Sequence, residues 1–222
     1  MNRLLYILKR IIPQRVLYAI RPPYHFVLAF LAALRYGFPS RRLTVVGVTG
    51  TKGKTTVVEL IARILEECKE RVASGSSLRF CIAGSDIANT SGMTMPGRFF
   101  MQRFLREAVG AGCTYAILEV TSQGIAQSRH RFISFDAALV TNVSPEHIEA
   151  HGGFEPYLRA KLDLFWRMTP SAIAIINRDD AHDERFIAAS AAPILFYGKR
   201  EIAYDAFSGA RNANNRDIRA WP

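Results

Sequence analysis

From residue 43 onward, apolar and polar positions alternate in two rhythms. Apolar runs at 43–48, 115–120, 137–141, 172–176 and 194–197 have the length and composition of strands buried on both faces. Between them, apolar residues recur every three or four positions at 57–69, 97–110, 154–167 and 182–190, the spacing of amphipathic helices. This alternation predicts an α/β fold: an open, mostly parallel sheet with helices on both faces and sites at the carboxyl ends of its strands. Ahead of it, Leu4, Leu5, Leu8, Ile11 and Ile12 recur at helical spacing with Arg and Lys between them. Breaks are expected at Pro13 and at Arg21-Pro22-Pro23, followed by nine uncharged residues, 26–34. Nine is well short of the roughly 20 residues that span a bilayer, and no small-residue cleavage site follows to make a signal peptide.

The domain reading that results is a basic amphipathic helical arm over 1–42, a nucleotide-binding domain over 43–205, and a polar tail rich in Asn and Arg over 206–222. Charge sharpens the first boundary. Of the chain's 29 Lys and Arg, eight lie in residues 1–42 (Arg3, Lys9, Arg10, Arg15, Arg21, Arg35, Arg41 and Arg42), against none of its 19 Asp and Glu. The arm therefore supplies most of the formal net charge of +10. A cationic amphipathic helix can lie on an anionic membrane surface, or it can pack on its own domain or on a partner. Nucleic acid is not expected as a partner, because no base-reading module accompanies the charge. Cys68, Cys81 and Cys113 have neither C-x-x-C spacing nor an even count, so they read as reduced thiols of a cytoplasmic protein.

Candidate chemistry concentrates at residues 46–56, Val-Gly-Val-Thr-Gly-Thr-Lys-Gly-Lys-Thr-Thr, where an apolar strand runs through a glycine loop into a helix. Small residues let backbone N–H groups approach phosphate oxygens, and the helix N-terminus adds partial positive charge. Gly50, Thr51, Lys52, Gly53, Lys54, Thr55 and Thr56 are the candidate ATP-binding residues, with Lys54 reaching the terminal phosphates and the Thr55 hydroxyl on Mg²⁺. The strict G-x-x-x-x-G-K-[ST] pattern fails, since Val48 stands where its first Gly should be. Three clusters follow other strands or lie on a helix. They are Glu119-Val-Thr-Ser-Gln-Gly124, Thr141-Asn-Val-Ser-Pro-Glu-His147 with His151 beyond it, and Tyr157-Leu-Arg-Ala-Lys161. Glu119 at a strand end suits a Mg²⁺ ligand. His147 reads either as a ligand or as a hydrogen-bonded structural residue, and Lys161 taken alone as a solvated surface charge.

Taken together, these segments resemble the Mur ligases of peptidoglycan synthesis, ATP-dependent enzymes that join an amino acid or peptide to a carboxylate. The loop 49–56 is similar to the family's nucleotide loop, including the shifted glycine. Glu119-Val-Thr-Ser resembles Glu-Val-Ser-Ser, 141–147 resembles Thr-Asn-Leu-Ser-x-Asp-His, 157–161 resembles Tyr-x-x-Ala-Lys, and Asn177-Arg-Asp-Asp180 resembles Asn-x-Asp-Asp. Within the family the likeness is to the branch that adds the third residue of the stem peptide. The resemblance implies the family's P-loop-containing central domain, an incomplete one, and it implies catalytic roles for Lys54, Glu119, His147 and Lys161, with Asn142 joining the ATP site. It also implies two Mg²⁺ ions, one on Thr55 and Glu119 and one on His147 and a carbamoylated Lys161. A substrate carboxylate would attack the γ-phosphate to give an acyl phosphate and ADP, and an amine would then displace phosphate to form an amide.

By the same resemblance Thr94, Thr121, Gln127 and Arg129 would contact a UDP-muramoyl-peptide-like acceptor. The family's Asn-Thr-Thr is here Met93-Thr94-Met95, and its Ser-Ser-His is Thr121-Ser122-Gln123, which leaves the carboxylate substrate open. The family's N-terminal uridine-binding and C-terminal amine-selecting domains have no counterpart in the pattern. Two alternatives therefore stand beside the ligase: a non-catalytic or partner-dependent ATP-binding fragment, and a ligase like folylpolyglutamate synthase. The location implied is the cytoplasm, with the arm able to meet the inner face of the membrane.

Overall fold

Hydrophobic alternation places β1 (Thr44–Thr49) at the centre of the molecule, with one set of its side chains facing each way. A computed structural model describes residues 14–89, 92–146 and 148–199 of the chain. Parallel neighbours flank β1: β5 (Tyr115–Glu119), with Val46 opposite Ile117, and β6 (Ala137–Val140), with Val48 opposite Leu139. The remaining strands are β2 (Val72–Gly75), β3 (Arg79–Ile82), β4 (Ser85–Ala88), β7 (Ile173–Asn177) and β8 (Ile194–Tyr197). They form one sheet in the order β4-β3-β2-β5-β1-β6-β7-β8, in which only the β2–β3 and β3–β4 pairings are antiparallel. The chain leaves β1 for one edge and, after β5, returns past β1 to build the other, so its loops part above the middle of the sheet. A crevice at such a reversal is where open α/β sheets bind ligands.

Period-two alternation assigns the two faces. Val45, Ala116, Leu118, Ala138 and Val140 point to the larger core, covered by α3 (Arg98–Gly110), α5 (Phe154–Trp166) and α6 (Asp183–Ala189). Val48 and Ile117 point the other way, onto Val58 and Ala62 of α2 (Lys54–Glu67). The expected open, mostly parallel sheet with helices on both faces is the fold observed.

One expectation needs correction. The break at Pro22-Pro23 does not occur, because α1 (Gln14–Tyr36) is one helix with both prolines inside it. Its Ala29, Ala32 and Ala33 are buried, and α1 lies along α3, so tertiary packing overrides the local cost of proline. Residues 70–96, to which the sequence pattern assigns no element, supply β2, β3 and β4. A turn with Ala83 at φ 49° and Gly84 at φ 82° closes the β3–β4 pair, the double left-handed geometry of a tight hairpin. Another element outside the sequence reading is the five-residue α4 (Ser122–Ala126). Residues 1–13 of the arm and 200–222, including the predicted tail, lie outside the described residues.

Candidate functional site

The loop after β1 is shaped by close approach. Gly50 has φ 146°, and a Cβ there would meet the Thr141 Oγ1 at 1.9 Å. The absence of a side chain lets the loop fold down onto the segment after β6. There Thr51 N donates to the Asn142 carbonyl at 2.7 Å, and Lys52 and Asn142 exchange two hydrogen bonds of 3.0 Å. Gly53, at φ 80°, then turns the chain into α2. Its first residues, Lys54, Thr55 and Thr56, place their N–H groups at a helix N-terminus aimed over the sheet.

Glu119, the last residue of β5, lies beside this turn and is buried. Its Oε2 accepts from Thr55 Oγ1 at 2.9 Å and from Ser77 N at 3.0 Å, while Lys54 Nζ stands 3.8 Å from Oε1. Lys54 Nζ also donates to the Thr51 carbonyl at 2.8 Å. A carboxylate and a hydroxyl oxygen in contact at a phosphate-type loop are hard donors that fit one Mg²⁺, with phosphate and water completing its shell. Among the described residues no three His, Cys, Asp or Glu cluster as a protein-only metal site.

Lys161 is the residue whose surroundings depart most from a solvated surface charge. On α5 it is 1% exposed, it donates to the Gly50 carbonyl at 2.6 Å, and its ammonium lies 4.5 Å from the Tyr157 ring centre. Burial, reinforced by the charge on Lys54 and opposed by Glu119, lowers its pKa to about 7. A neutral amine is therefore available near neutrality, the species that carbamoylation by CO₂ requires. Tyr157, one turn earlier, shares a 2.8 Å hydrogen bond with Thr51 Oγ1, which ties α5 to the loop. Nearby His151 contacts Ser122 Oγ at 3.1 Å, and burial, followed by the Lys161 charge, lowers its pKa.

The structure thus brings together Gly50, Thr51, Lys52, Gly53, Lys54, Thr55, Glu119, Asn142 and Lys161. Thr56 follows on the first turn of α2, exposed. His147 lies outside the described residues. The four acceptor candidates lie on or near α4. Thr121 caps α4 by accepting from Gly124 N at 3.1 Å, and Arg129 donates to Gln127 Oε1 at 2.7 Å and to the carbonyl of Met95, the neighbour of Thr94. Sequence reasoning missed Ser77, whose N–H and hydroxyl fix Glu119. Its signal was the small-residue end of the unrecognised β2. It also missed the pinning role of Asp180, which accepts from Val143 N at 2.6 Å and so holds the Asn142 segment in place.

Residues 48–219 match the family model described as the Mur ligase middle domain. The chain belongs to the Mur ligase family. Over 188 residues it is 35% identical to the UDP-N-acetylmuramoyl-L-alanyl-D-glutamate--2,6-diaminopimelate ligase of Chlamydia felis, an alignment covering 85% of this chain and 38% of that protein. A solved structure of a ligase of the same name superposes with a TM-score of 0.64 at 31% identity, over 72% of this chain and 32% of that one. Mycobacterium tuberculosis folylpolyglutamate synthase, solved with ADP and AMPPCP, gives a TM-score of 0.63 over 77% of this chain and 46% of its own. Its 17% identity makes that a likeness of fold alone. The chain spans less than half the length of each of these proteins, and the loop, Glu119 and Lys161 fall within the residues that match the Mur ligase middle domain.

Proposed function

We propose that this chain carries the ATP-activating site of a carboxylate–amine ligase of peptidoglycan precursor synthesis, acting on a UDP-N-acetylmuramoyl peptide. The observation that carries the reading is the contact of Thr55 and Glu119 beside Lys54 at the N-terminus of α2, under a loop that only glycine at position 50 allows. Lys54 and the N–H groups of 51–56 would hold the ATP phosphates. Thr55 and Glu119 would hold one Mg²⁺, and His147 with a carbamate on Lys161 a second. Mg²⁺ bound there would neutralise phosphate charge. The chain's own contribution is positioning: Lys54 and the helix N-terminus keep the γ-phosphoryl group in line with an incoming carboxylate, and the acyl phosphate that results is open to an amine. Thr94, Thr121, Gln127 and Arg129 are the acceptor side of this reading, and the cytoplasm, where such precursors are made, is its location.

The test is thermal. Mg·ATP should raise the melting temperature of the chain, Lys54→Ala should abolish the rise, and Glu119→Ala should weaken it. Equal stabilisation of Lys54→Ala and parent by ATP would sink the assignment. Release of ADP only when a UDP-muramoyl peptide and an amino acid are both present would establish ligation. Binding without ADP release favours the second reading, a nucleotide-binding module that works with a partner. For Lys161, a mass increase of one CO₂ in bicarbonate buffer, lost on acidification, is the expected mark.

A further inference from the structure

We propose that the outward face of α1 is a docking surface for an anionic lipid bilayer. From Pro22 to Leu34 every exposed position of this helix is apolar: Tyr24, Phe26, Val27, Phe30, Leu31 and Leu34 are 42–57% exposed. Surface helices of globular proteins put charge on that face, and a contiguous apolar stripe rimmed by polar groups marks a site of interaction. Below the stripe, Ala29, Ala32 and Ala33 are packed inward, so the helix is already seated and the outer face is what remains.

The rim is cationic. Arg35 lies at the end of the helix, and Arg41 and Arg42 follow in the Pro39–Arg42 turn. On the adjoining loop Arg131 stacks 5.2 Å from the Phe26 ring centre, and Phe132 packs against Phe26 and Phe30 at 5.2 and 5.5 Å. No Asp or Glu precedes Glu59 in the chain. Asp163, the acid that faces Arg131, is already held by Arg167 at 2.7 Å. Apolar centre with arginine rim is the pattern of an element lying in a membrane interface, its rings at acyl depth and its cations at the headgroups.

Charge also decides against the other occupants. Residues 1–13 carry Arg3, Lys9 and Arg10 and no acid, so folding them over the face would set cation against cation. A second copy of the face would do the same across a two-fold axis. No helix of the described residues is long and apolar enough to cross a membrane, so the contact is peripheral. Arg41 and Arg42 sit just before β1, at the opposite end of that strand from the nucleotide loop, which leaves the loop open when the arm is docked.

Vesicle co-sedimentation of the full chain tests this. Phosphatidylcholine vesicles containing phosphatidylglycerol should retain the chain, and pure phosphatidylcholine should retain little. Arg41→Ser with Arg42→Ser should lower partitioning on the order of tenfold and weaken its salt dependence. Val27→Ser with Leu31→Ser, both on the exposed face, should lower it by about tenfold or more while circular dichroism and melting stay as in the parent. Failure to bind anionic vesicles overturns the proposal, and so does binding unchanged in the Val27/Leu31 variant. If sedimentation velocity shows a dimer that this variant dissolves, a second copy covers the face instead. None of these readouts depends on nucleotide, so the ATP site and the lipid face stand or fall separately.

Discussion

Gly50 shows how much chemistry one missing side chain can carry. With φ at 146° and the Thr141 hydroxyl where a Cβ would stand, Gly50→Ala must distort the loop or part it from the segment after β6. A destabilisation of about 1–3 kcal/mol is expected from backbone strain alone, together with loss of the Mg·ATP melting shift, read by scanning fluorimetry. Lys161 gives a residue-scale prediction of a different kind. Its folded pKa of about 7 lies below the ordinary 10.5, so between those values the unfolded chain binds the extra proton. Stability should therefore rise with pH across that window, by at most about 1.4 kcal/mol per unit, and be flat below it. In Lys161→Met that part of the slope should vanish, as measured by denaturant unfolding at neutral and alkaline pH. Nothing local in the sequence marks Lys161 as buried, since a lysine on an amphipathic helix reads as solvated. Only the loop carbonyl it meets, 111 positions away, reveals its place.

At the scale of elements, the strands legible in the sequence were those with long apolar runs: β1, β5, β6, β7 and β8 came out within a residue or two of the reading. β2, β3 and β4 escaped because Ser74 and Gly75, Arg79, and Ser85 with Asp86 break up any apolar run in them, whereas the equally short β6 and β8 are unbroken. A hairpin signal was nonetheless present at Ala83-Gly84. The loop, Glu119 and the 141–146 segment were legible because each directly follows a strand, where a parallel sheet gathers its chemistry. Ser77 was not, since the strand that delivers it went unseen. Asp180 joins two such segments, accepting from Val143 N and from His182 N at 2.8 Å. Asp180→Ala should leave a buried N–H without a partner, costing about 1–3 kcal/mol. It should also loosen Asn142, so that nucleotide binding weakens more than the melting temperature alone would suggest. Calorimetry beside melting separates the two.

For the molecule as a whole, the arm is joined to the loop after α4 by aromatic packing, in addition to its alanine face on α3. Phe26, Phe30, Phe38 and Phe132 form one ring cluster, and Phe132 holds it from a backbone of φ 62° that a bulky residue rarely adopts. Phe132→Ala should release α1 while the sheet stays intact. Amide exchange would show it as lost protection over 24–34 with unchanged protection in β1 and β5. Equal loss in both would mean that arm and sheet unfold as one unit. The charge boundary near residue 42 was visible in the sequence, but the continuity of α1 through two prolines was not, because it is decided by what Ala29, Ala32 and Ala33 pack against.

Glu119 has a consequence that concerns order of arrival. Its carboxylate faces the place where a polyanion would sit, so bare ATP meets repulsion there, while a divalent cation alone finds one carboxylate and neutral hydroxyl oxygens among the described residues. Each ligand is a poor occupant without the other, and the site works as a coincidence detector. Glu119→Gln should blunt that detection, with bare ATP binding more tightly than to the parent and Mg·ATP more loosely. Titration calorimetry with and without a chelator should show the two affinities drawing together.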